Sequence, residues 1–214
     1  MFRRKKSEDP VEGDQTLSEE PTEDGATAQA GAPQGPWDSA SVPQDGRERI
    51  DLGSLRLVPP AGVELRIQVN DQTQEVQSVL LAAPEGGLEL RAFAAPRHGD
   101  LWDEVRPQLV ADVNRRGGSV EEQEGTFGPE IVCRMSTQDP EGRQVQQDSR
   151  IVGINGDRWF LRATFLGAPA RGASEQWDDL LRDVVVHRGD VAMPPGDALP
   201  VQLPQQVRDQ QSQT

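Results

Sequence analysis

The placement of charge limits how much of this chain can fold. Arg3-Arg4-Lys5-Lys6 is followed by no Lys or Arg until Arg47, and ten Asp/Glu lie between. Pro, Gly, Ala, Ser and Thr fill most of the gaps. A stretch this acidic, with so few large apolar side chains, cannot bury enough surface to offset the entropy of ordering it. The sequence therefore predicts a disordered acidic tail over residues 1–45 and a single α+β domain over residues 46–190. A second disordered tail follows over residues 191–214, where Pro194, Pro195, Pro200 and Pro204 lead into a Gln-rich end.

The formal net charge of −14 divides into +4 from residues 3–6, −10 from residues 7–45 and −8 from the remainder. That balance argues against general binding to DNA or RNA, because neutralising phosphates requires a concentrated basic surface. Arg3, Arg4, Lys5 and Lys6 are a candidate contact with an anionic membrane surface. At about 1 kcal/mol per basic residue, with the acidic stretch competing, that contact is weak. The single cysteine, Cys133, excludes an intramolecular disulfide and a cysteine metal cluster. It sits in Ile131-Val132-Cys133-Arg134-Met135 and reads as a small buried hydrophobe in a strand. No apolar stretch follows the basic start and no run approaches ~18 apolar residues, so the expected location is the cytoplasm.

Within the domain, Ile50–Leu57 reads as a first element. Val63, Leu65, Ile67 and Val69 then alternate with Glu64, Arg66 and Gln68, the period of a half-buried strand. A turn at Asp71–Gln74 leads to a strand over 75–82. Pro84-Glu85-Gly86-Gly87 forms a hairpin turn, and 88–95 is the return strand. Asp100 caps a helix over 101–116, whose Trp102, Val105, Leu109 and Val113 make one apolar stripe before Gly117-Gly118 ends it. Pro107 at that depth predicts a kink or a late start. Four strands follow, at about 119–124, 130–137, 144–154 and 157–166, with turns at Asp139-Pro140-Glu141-Gly142 and Asn155-Gly156. Ser174 caps a closing helix over 174–185 with the stripe Trp177, Leu180, Leu181 and Val184. Val184-Val185-Val186 is alternatively a short terminal strand. Hairpin-length turns join only antiparallel strands. The expected architecture is thus one antiparallel sheet of about 6–8 strands, with both helices covering one face.

These residues resemble an uncharacterised actinobacterial family, the domain of unknown function numbered thirty-seven ten. The resemblance spans about residues 35–200. It rests on Gly35-Pro36-Trp37-Asp38, Asp45-Gly46-Arg47-Glu48-Arg49-Ile50-Asp51-Leu52-Gly53-Ser54-Leu55 and Leu90-Arg91-Ala92-Phe93-Ala94-Ala95-Pro96. It also includes Leu101-Trp102-Asp103-Glu104-Val105, Gly156-Asp157-Arg158-Trp159-Phe160-Leu161-Arg162 and Asp183-Val184-Val185-Val186-His187-Arg188-Gly189-Asp190. It implies no activity, cofactor or catalytic residue. The order of elements is also similar to the Mog1/PsbP-like α+β sandwiches, which include non-enzymatic adaptor and binding proteins.

No catalytic or phosphate-cradling motif is present. His98 and His187 read as solvated loop residues, and no cofactor is expected. Trp37, an isolated aromatic at the domain border, is a candidate for docking onto the domain. Alternation sets Arg66, Glu89, Arg91, Phe93, Phe160 and Arg162 opposite the main core stripes. A face that mixes arginine with aromatic residues is a candidate interaction surface; a solvated face with both phenylalanines covered is the competing reading. The expected function is a non-enzymatic cytoplasmic protein-interaction or adaptor domain with an unidentified protein partner. The alternative is a small-molecule or peptide binder, or a cryptic enzyme, using the same Arg/Phe face.

Overall fold

The computed structural model describes residues 35–69, 76–138, 141–172 and 175–202. The basic residues 3–6, the Asp71–Gln74 and Asp139-Pro140 turns and the Ser174 cap lie outside the described residues. In chain order the elements are β1 (Trp37–Asp38), β2 (Ile50–Asp51), β3 (Leu55–Leu57), β4 (Glu64–Val69), β5 (Val76–Ala83), β6 (Gly86–Ala94) and α1 (Leu101–Arg115). β7 (Ser119–Gly125), β8 (Gly128–Gln138), β9 (Gln144–Asn155), β10 (Trp159–Gly167), α2 (Glu175–Arg182) and β11 (Val185–Val186) complete them.

Two antiparallel meanders, β4-β5-β6 and β7-β8-β9-β10, join through the non-local pairing of β6 with β10 into a seven-stranded antiparallel sheet in the order β4-β5-β6-β10-β9-β8-β7. A smaller sheet, β1-β11-β3-β2, has β1 parallel to β11 and the other pairs antiparallel. The expected first element divides into β2 and β3 because Gly53, at φ 80°, turns the chain between them. No helix among the described residues is long and apolar enough to cross a membrane.

The helices cover opposite faces of the large sheet, not one face as their sequence stripes suggested. On the first face Val79, Leu81, Leu88, Leu90, Leu161, Ala163 and Phe165 form a core with Trp177, Leu180 and Leu181 of α2. Leu52, Leu55 and Leu57 from the small sheet join the same core. On the second face Trp102 of α1 packs with Ile131, Cys133 and Phe160, flanked by Val105, Leu109 and Val113. An apolar stripe states how much a helix must bury, not which side of a sheet receives it.

α1 is positioned by a side chain from the β9–β10 turn. Asp100 accepts a hydrogen bond from the Asp103 amide at 3.0 Å, and Asn155 Nδ2 donates to the same oxygen at 2.6 Å. Asn155 Oδ1 in turn accepts from the Leu101 amide at 3.1 Å. The helix runs unbroken through Pro107, whose ring is exposed. In the turn itself the left-handed residue is Arg158, at φ 61°, and not Gly156. Gly156 is needed for another reason: a Cβ there would lie 2.0 Å from the Trp159 ring.

The folded region extends past residue 46 at one end and residue 190 at the other. Trp37 N–H donates to the Val184 carbonyl at 2.8 Å, and Trp159 Nε1 donates to Asp38 Oδ2 at 2.8 Å. At the far end, residues 196–199 pair with β6 beyond the point where β5 leaves it. The Ala94 amide donates to Asp197, and the Gly196 and Leu199 amides donate to Ala94 and Ala92. Proline spacing suggested an unpaired tail, but Leu199 is buried in the core, and Pro194 and Pro200 flank the paired residues and accept from the Asp197 and Ser54 amides.

Trp102 lies directly on Gly153 of β9, and a Cβ at 153 would stand 2.2 Å from the indole. Gly153→Ala must therefore lift α1 or bend the strand. It should destabilise the domain by roughly 1–3 kcal/mol, read as a lower urea midpoint with an unchanged m-value.

Candidate interaction site

Strand alternation and register place the arginine and aromatic residues of the second face in rows. Arg66 stands opposite Leu80, Leu80 opposite Glu89, and Glu89 opposite Thr164. The next row pairs Arg91 with Arg162, and the following row pairs Phe93 with Phe160. α1 lies over β7, β8 and β9, and its Trp102 reaches Phe160, with ring centroids 6.2 Å apart. No helix among the described residues lies over the β4–β6 half of that face.

This division separates the sequence candidates. Phe160 is 1% exposed and belongs to the core beneath α1, so it is not an accessible contact. Phe93 is half-buried at the border of the covered region, 5.9 Å from Phe160. Arg91 and Arg162 are half-buried, with guanidinium carbons 5.7 and 5.8 Å from the centre of the Phe93 ring. Burial and the neighbouring Arg91 charge lower the pKa of Arg162, while Glu89 acts in the opposite direction. Arg66 is exposed on the edge strand, two strands from Arg91, and bonded to Glu64 at 2.6 Å. Trp37 lies outside this face, in the small sheet.

Sequence reasoning missed a charged cluster on the first face. The Arg150 guanidinium donates from Nη1 to Glu130 Oε2 at 3.0 Å and from Nη2 to Asp178 Oδ1 at 3.0 Å. It lies over the Phe165 ring at 3.9 Å. Gln123 Nε2 donates to the second Glu130 oxygen at 2.7 Å, and Thr126 Oγ1 to the second Asp178 oxygen at 3.3 Å. All three charged residues are 2–3% exposed. Each carboxylate oxygen is thus occupied, which makes the cluster a lock between β8, β9 and α2 and leaves no free base. It forms one wall of a cavity of about 420 Å³ that Arg134 and Arg171 also line. The available signal was a charge at an inward position: Arg150 shares a strand face with Val152 and Ile154.

Cys133 is 2% exposed, and burial pushes its thiol pKa up against the opposing effect of a hydrogen bond from Ser149. His187 Nδ1 lies 2.9 Å from Ser39 Oγ, and His98 is exposed in the loop before α1.

The family model described as "Protein of unknown function (DUF3710)" matches residues 35–210. The chain belongs to this family. No curated protein matches it. Among solved structures, a protein from Bacteroides thetaiotaomicron is similar at 15% sequence identity with a TM-score of 0.42. The match covers 77% of this chain and 56% of the other, so the family member described here spans little more than half of that protein.

Two outcomes follow from the buried groups. Arg150→Ala strands two buried carboxylates and should cost about 3–5 kcal/mol in chemical denaturation. Cys133 should react with a thiol reagent only at the rate of global unfolding, because the thiolate is disfavoured and inaccessible. Alkylation kinetics across a urea series check this.

Proposed function

We propose that this domain is a non-enzymatic cytoplasmic interaction module that docks an acidic protein partner on the uncovered half of its large sheet. The observation that carries the reading is the unequal covering of one sheet face. α1 seals the β7–β9 half, while the other half presents Phe93 beside two guanidiniums. Binding surfaces commonly combine an aromatic anchor with arginine. The chain has a net charge of −14, so a local cationic patch is what gives an acidic partner a favourable approach. The fully bonded carboxylates of the Arg150 cluster and the buried Cys133 supply no reacting group that favours an enzyme.

Affinity capture with the full chain tests this reading against two variants. Arg91→Glu/Arg162→Glu reverses the patch, and Arg134→Glu reverses one exposed charge on the opposite face. A directly crosslinked protein that is retained by wild type and Arg134→Glu, but lost by the double variant, is the expected result. Identical partner sets for all three would end the proposal.

A further inference from the structure

Arg91 and Arg162 occupy directly opposed positions on β6 and β10. Like charges so placed ordinarily destabilise a sheet. Most other half-buried or buried arginines of the domain meet carboxylates, and Arg188 instead donates to the Arg158 and Val191 carbonyls. Arg49 meets Asp45, whose carboxyl its hydrogen bonds hold down at about 2. Arg106 meets Asp103 and Glu122, and Arg150 meets Glu130 and Asp178. Neither Arg91 nor Arg162 has an ion-pair partner among the described residues. Arg91 Nε is buried and makes no hydrogen bond, a condition it shares with the Nε of Arg49, Arg106 and Arg150, so the contrast lies in the missing carboxylate. Glu89 is half-buried on the same face and acts on Arg162 through its field alone.

We propose that Arg91 and Arg162 together form the receptor for one carboxylate, carried by an Asp or Glu side chain of the docked partner. The inference rests on the docking reading above and specifies its chemistry. A guanidinium presents parallel N–H donors that match the two oxygens of a planar carboxylate, and neither of these two guanidiniums meets a carboxylate among the described residues. The Phe93 ring supports both guanidiniums through cation–π contact and limits their motion. Counting Glu89, the site carries one net positive charge, which suits a monoanion better than a phosphate dianion. A bound carboxylate would also relieve the repulsion between the two arginines, so binding should stabilise the fold.

The test titrates the full chain with a capped Glu-containing peptide, its Gln counterpart and inorganic phosphate, following Tm and the arginine Nε–H NMR signals. The Glu peptide should raise Tm and move the Arg91 and Arg162 signals. The Gln peptide should do neither, and phosphate should bind at least tenfold more weakly. Arg162→Gln and Arg91→Gln should each melt at or above the wild-type Tm without peptide, because the repulsion is gone. Each should bind the Glu peptide at least tenfold more weakly. An equal response to the Gln peptide, equal or tighter phosphate binding, or both variants melting well below wild type would overturn the assignment. A crosslinked partner that survives Arg91→Gln/Arg162→Gln would also overturn it while leaving the docking reading intact. Peptide binding as expected, with no crosslinked partner on this face, would sink the docking reading alone.

Discussion

The pairing of β6 with β10 is the constraint from which the rest of the domain follows. The two strands stay in antiparallel register from Gly86–Gly167 through Ala94–Trp159 without a bulge. Side chains alternate across a sheet, so this register assigns every residue of both strands to a face at once. Leu88, Leu90, Leu161 and Phe165 go to the core shared with α2, while Arg91, Phe93, Phe160 and Arg162 go to the other side. A slip by one residue would exchange the two sets and drive both guanidiniums into the larger core. The arginine pair is therefore a product of the same geometry that builds the interior.

The two helices are held to this sheet by different physics. α1 relies on shape: an indole lies on a strand glycine, and its N–H donates to the Pro129 carbonyl at 2.7 Å. α2 adds a charged clamp beside its apolar stripe, with Asp178 reaching down to Arg150 in the sheet. A buried ion pair gives little net stability over an apolar replacement, but removal of one member is severe. The clamp thus penalises any arrangement in which α2 sits one turn away, since Asp178 would lose Arg150. Directional hydrogen bonds discriminate between placements that an apolar stripe tolerates.

Much of the fold was legible because strand period and turn chemistry are local. Leu65 and Ile67 against Glu64 and Arg66, the Gly86-Gly87 corner and the Asp100 cap each declare their structure within a few residues. Assignment of the helices to opposite faces was not legible, because it depends on Gly153 meeting Trp102 across 51 positions of chain. Phe160 shows the same limit at the site: alternation placed it correctly opposite the main core, but only the packing of α1 reveals that it is sealed. Arg150, Glu130 and Asp178 were hidden because each lies on a different element, and a charge in one strand reads as solvent-facing until its partner arrives. Ile50–Leu57 and Val184–Val186 were legible as short extended pieces, but their union in a small sheet was not, because strands of two or three residues carry no measurable period.

The segment over residues 196–199 bears on how the protein avoids sticking to itself. Where β5 turns away, β6 would otherwise present a bare amide and bare carbonyls at Ala92 and Ala94, next to the most central pair of the sheet. Such an opening is a template for strand capture between molecules. The chain closes it with its own proline-flanked residues, which spend those donors and acceptors internally and offer a poor template in turn. Truncation of the chain at residue 190 would reopen that seam, and purified material cut there would be expected to assemble into larger species.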